Sequence, residues 1–103
     1  MGERLTGMRH YIAVIHKEAE SAYGVSFPDV PGVIASADSL DAVLQEAREV
    51  LAFAAEDWAN LSGKTFPAPR TLDMLRRDRA FQENSVDAVV AAIPLEFDIG
   101  KAA

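Results

Sequence analysis

Hydrophobic and polar positions along this 103-residue chain change period twice, and the changes divide it into elements. Tyr11-Ile12-Ala13-Val14-Ile15-His16 is rich in β-branched and aromatic residues and predicts a strand. Lys17 to Ser21 is a polar, charged connection. In Ala22 to Phe27, Val25 and Phe27 alternate with Gly24 and Ser26, the period of a half-buried strand. The spacing suits an antiparallel hairpin, although no Asn-Gly or Asp-Gly turn fixes its register. Pro28 and Pro31 have no N–H for a ladder, so the second strand ends near Phe27. Asp29 to Gly32 is turn chemistry: Asp bonds its own backbone, Pro fixes φ and Gly accepts φ > 0. A third short strand, Val33 to Ser36, completes a meander.

The period then becomes helical. Leu40, Val43, Leu44, Ala47, Val50, Leu51, Ala54, Trp58 and Leu61 recur at three and four residues and mark one face of a helix. Asp38 or Ser39 is suited to cap its start, Asp41 suits the first turn, and Gly63 is a natural stop. The helix spans about 22 residues, roughly 33 Å, enough to lie across a small sheet. Phe66-Pro67-Ala68-Pro69 reads as an extended loop, and Thr71 caps a short second helix from Leu72 to Arg79. Val86 to Phe97 returns as a largely apolar strand whose near-continuous run suggests burial on both faces, inside the sheet or in a subunit contact. Pro94 requires an edge, a bulge or the strand's end. The expected architecture is α+β, in the order β-β-β-α-(short α)-β: a three-stranded meander plus a final strand, packed against one long helix. It forms a single domain over residues 1–103, with 1–9 and 98–103 as loose ends.

Composition narrows the function. Without cysteine, disulfides and thiolate metal sites are excluded. No apolar run approaches the roughly 18–20 residues that span a bilayer, and no signal-peptide core follows Met1, so a cytoplasmic location and no membrane association are expected. The net charge of −6 disfavours phosphate backbones. It either keeps a small protein soluble or steers a basic protein partner towards it.

Candidate chemistry is sparse. His10 and His16 are six residues apart, so they share a strand face, but about 20 Å of strand separates them and a shared metal is excluded unless the strand bends back. The carboxylates sit at turns and helix positions: Asp29 in the turn, Asp38 and Asp41 at the helix start, Glu46, Glu49, Glu56 and Asp57 along the helix. Two-metal nuclease chemistry needs several acids converging on ions about 4 Å apart, and the first two strands hold no interior Asp or Glu. There is no Gly-x-Ser-x-Gly and no glycine-rich phosphate loop. No catalytic residue, metal or cofactor is therefore assigned. Arg70, Arg76, Arg77 and Arg79 form the one basic cluster, read as the solvated side of the short helix balanced by Asp73, Asp78 and Glu83.

Gly24-Val25-Ser26-Phe27-Pro28-Asp29-Val30-Pro31-Gly32, preceded by Tyr11-Ile12-Ala13-Val14-Ile15 and followed by the helix opening Ala37-Asp38-Ser39-Leu40-Asp41-Ala42, resembles the pattern of HicB-type antitoxins of bacterial toxin–antitoxin pairs. The resemblance runs from about Tyr11 to Phe97. It implies a partial ribonuclease-H-like fold without nuclease activity, a small basic mRNA-cleaving toxin of the HicA type as partner, and a homodimer or homotetramer. It points to Asp29, Pro31, Gly32 and Asp38 as motif residues, which either contribute to the partner surface or hold the backbone of the turn. Many family members append a helix-turn-helix or ribbon-helix-helix domain. Here the chain ends at Ala103, soon after the last strand, and no direct DNA binding is expected. The alternatives are an orphan oligomeric protein-binding scaffold and a residual metal-dependent nuclease.

Overall fold

The structure, a computed structural model, describes residues 4–18, 22–62 and 65–101. Its elements are β1 (Arg4–Glu18), β2 (Ala22–Ser26), β3 (Ile34–Ala37), α1 (Leu40–Ser62), α2 (Leu72–Leu75), α3 (Arg79–Asn84) and β4 (Val89–Lys101). The four strands form one antiparallel sheet in the order β3-β2-β1-β4. The α+β class and the meander agree with the sequence pattern, as does the hairpin, whose register runs from Val14↔Ser26 to Glu18↔Ala22.

The last strand differs most from expectation. It is neither central nor buried on both faces: it lies at the sheet edge beside β1, and Val89 and Val90 are exposed. Its apolar run reflects one buried face, through Ile93 and Leu95, and a more open face with Val90, Ala92 and Pro94. Pro94 opposes His10 on this edge strand, where its missing N–H costs the sheet nothing on the free side. β4 also starts later than the apolar run, because Asp87, in a left-handed conformation at φ 58°, turns the chain into it, and it ends later, at Lys101, through pairing with β1. Pairing from Arg4↔Lys101 to Ile15↔Val89 draws both expected loose ends into strands, residues 4–9 into β1 and 98–101 into β4. Polar sequence does not stop a strand whose backbone partner is present.

The sheet's two faces are used unequally. Tyr11, Ala13 and Ile15 of β1 and Val25 of β2 pack with Ile93 and Leu95 beneath Val43, Ala47 and Leu51, the fully buried stripe of α1. These three helical positions are four residues apart and so stack on one side. Leu40, assigned to that face by its spacing, is exposed in the first turn of α1. Val14 points the other way and is sealed by Leu75 and Phe81, so α2 and α3 add a partial third layer. The predicted single helix over 72–79 is broken at Arg76-Arg77-Asp78. Thr71 caps α2 by accepting the Met74 N–H, and Asp78 starts α3 by accepting that of Ala80. Ser39, not Asp38, caps α1, its hydroxyl accepting from the Ala42 N–H. Gly63, the expected stop, lies outside the described residues. No helix among them is long and apolar enough to cross a membrane.

Candidate functional site

Residues 27–33 form two successive turns. The Val30 N–H donates to the Phe27 carbonyl at 3.1 Å, and the Val33 N–H donates to the Val30 carbonyl at 3.2 Å. Each turn has proline at its second position, and the second turn has Gly32 next, at φ +93°. That is the type II arrangement, in which proline presets φ and only glycine takes positive φ without strain. Val30 is fully buried and anchors the loop in the core, whereas Pro31 and Gly32 are exposed at its tip.

Asp29 points inward to a partner far along the chain. Its Oδ2 accepts from the backbone N–H of Arg70 at 2.7 Å, and its Oδ1 accepts from Arg70 Nε at 2.6 Å. The carboxylate is only 8% exposed. The same guanidinium donates through Nη1 to Asp78 Oδ2 at 2.9 Å. One arginine therefore joins the turn to the start of α3. Asp78, paired with Arg70 and accepting the Ala80 N–H, is held below the ordinary carboxylate range, and the two carboxylates hold the Arg70 guanidinium above its own. The basic cluster is thus divided: Arg70 is a clasp, Arg79 reaches Glu83 one helical turn on at 3.7 Å, and Arg76 and Arg77 are exposed.

The loop after α1 is held in a similar way. Tyr11 donates its hydroxyl to the Pro67 carbonyl at 2.6 Å, and burial raises its pKa. Phe66 lies between Tyr11 and Trp58, with ring centroids 5.6 and 5.4 Å away. Trp58 thus joins the core as its spacing implied, and it also borders an open groove.

Of the four motif residues, Asp29 is inside the clasp, Pro31 and Gly32 are at the exposed turn tip, and Asp38 is exposed ahead of α1. His10 and His16 lie on the sheet face opposite α1. Among the described residues, no three His, Asp or Glu side chains gather in a way that would hold a metal ion. One pairing and one residue escaped the sequence reading. Arg70 had no local signal for its partner, 41 residues away. Phe53, 70% exposed, had one: it is a large aromatic lying off the periodic apolar face of its helix.

The model of the HicB-like antitoxin of bacterial toxin–antitoxin systems matches residues 11–99. Comparison with curated proteins gives no match. Among solved structures, the chain is similar to the N-terminal domain of the Burkholderia pseudomallei antitoxin HicB, with 25% identity and a TM-score of 0.67 over 82% of this chain and 95% of that one. It is similar to the longer Burkholderia pseudomallei HicB at 25% identity and a TM-score of 0.65, spanning 59% of that chain and 82% of its own. A HicA3 and HicB3 toxin–antitoxin complex shares the fold at 20% identity, with a TM-score of 0.63 over 82% of this chain and 94% of that one. With the family pattern matched across both turns, the long helix and all four strands, this chain belongs to the HicB-like antitoxins of bacterial toxin–antitoxin systems.

Proposed function

We propose that this chain is an antitoxin that binds a small basic HicA-like mRNA-cleaving toxin and neutralises it by covering the RNA-cleaving surface. The action is steric and electrostatic, through a protein interface, and involves no catalysis by this chain. Family membership supports the reading, as does a toxin–antitoxin complex among the structures that share the fold. The observation that carries it is the distribution of charge. Residues 38–58 hold six carboxylates against Arg48 alone, a net of −5 out of −6 for the whole chain. Nearly all of the excess negative charge therefore lies along and just before α1, on the side of the molecule away from α2 and α3. A one-sided acidic face attracts and orients a basic protein, as a surface meant for RNA would not.

The test is to co-express the chain with a small basic HicA-like toxin and to measure co-purification and growth. A stable complex with restored growth is expected; separate elution of the two proteins with continued arrest would defeat the reading. We also propose that the chain acts as a homodimer or homotetramer. The exposed Val89 and Val90 on the unpaired edge of β4 support this, and light scattering of the purified chain would check it.

A further inference from the structure

Phe53 is the most exposed large apolar side chain among the described residues, at 70%, with Ile34 at 69%. They border one groove of about 360 Å³, which is also lined by Pro31, Gly32, Asp57 and Trp58. The motif turn, the edge strand β3 and the outer side of α1 thus meet at a single apolar depression. Glu46, Glu49, Phe53 and Glu56 follow one another at three, four and three residues, so they share a helix face, and all are exposed. An aromatic side chain with carboxylates one turn to either side has the composition of an anchor with a charged rim.

We infer that this groove, with Phe53 as its anchor, is where the chain takes a basic protein partner: a cationic surface that presents an apolar side chain between lysines or arginines. The inference rests on the toxin-binding reading and assigns it a surface. A two-fold contact of this face with the same face of a second copy does not fit here, because it would bring a segment of net −5 against its like. Pro31 and Gly32 then have two tasks. They hold the backbone turn, and they form the groove rim with little side chain to obstruct a partner; a Cβ built on Gly32 meets nothing within 4 Å. Asp29 plays no direct part in contact, since both its oxygens are engaged by Arg70.

The experiment measures binding of a small basic HicA-like toxin by calorimetry at two salt concentrations, using the full chain and three variants. Phe53→Ala is expected to weaken binding at least tenfold while leaving thermal unfolding unchanged, because the ring is exposed and alanine favours a helix. Glu49→Lys is expected to weaken binding mainly at low salt. Met74→Ala, an equally apolar change on α2, is expected to leave affinity within twofold. If the wild type binds and both Phe53→Ala and Glu49→Lys also stay within twofold, the groove assignment fails and the antitoxin reading stands. If the wild type binds no basic protein, both fail. If Phe53→Ala changes self-association but not toxin binding, the groove joins copies of the chain and the assignment is overturned.

Discussion

Replacing Arg70 with alanine tests whether the motif aspartate serves the fold. The substitution removes the 2.6 Å bond from Nε to Asp29 and the 2.9 Å bond from Nη1 to Asp78, and leaves the 2.7 Å bond from the residue 70 backbone N–H. Asp29, at 8% exposure, is then left without its cation. Breaking a fully buried pair costs about 3–5 kcal/mol, and a charge-assisted hydrogen bond contributes about 1.5–3 kcal/mol. Here the lower figure applies, because the Arg70 side chain is 36% exposed, water reaches the vacated space and one bond survives. The expected loss is about 2 kcal/mol, or about 8–16 °C in Tm for a domain of this length. Urea unfolding followed by the fluorescence of Trp58, the one tryptophan, reads it directly. Arg70→Lys keeps the charge but not the fork and should lose about half as much. In an Asp29→Ala background, Arg70→Ala should cost far less than alone, a coupling of about 1–2 kcal/mol. A loss below about 0.5 kcal/mol in the single variant, or an equal loss in both backgrounds, would refute the clasp.

Three further outcomes are expected. Gly32→Ala should cost about 1–2 kcal/mol in thermal unfolding, from backbone strain at φ +93° alone, since the added methyl meets no atom within 4 Å; an unchanged Tm would contradict the turn described. Leu75→Ala should cost about 2–5 kcal/mol in urea despite its place in a four-residue helix, because it is fully buried against Val14; a loss under 1 kcal/mol would remove α2 from the core. Asp78, held below the usual range by Arg70 and the Ala80 N–H, contributes stability that is fully present above its unfolded value near 3.9 and is lost as pH falls through the lower folded-state value. Urea midpoints between pH 5 and pH 3 should therefore fall less steeply for Asp78→Asn than for the wild type, and parallel curves would show that the pairing does not persist in solution.

The long helix was legible in the sequence, because each residue's face depends only on its separation from its neighbours, and Val43, Ala47 and Leu51 pack as their spacing requires. The two turns were legible for the same local reason: proline and glycine constrain their own backbone. The family pattern was built from these local signals, which is why it was visible along with them.

The partners across the fold were not legible. That β4 lies beside β1 at an edge depends on which backbone is within reach of which, and an apolar run reads alike in a centre and at an edge with one buried face. The second core layer depends on the chain leaving α2 after Leu75 and on Asp78 starting α3, a choice favoured by an arginine eight residues away. Asp29 and Arg70 meet across 41 residues, and the turn tip meets Phe53 across about twenty. Sequence alone determined the meander, the two turns and the long helix with its buried stripe, since those follow from nearest-neighbour sterics and periodicity. Tertiary structure decided which charge is clasped, which strand is left at the edge and where an apolar groove opens beside the acidic helix, because those follow from contacts between residues that only folding brings together.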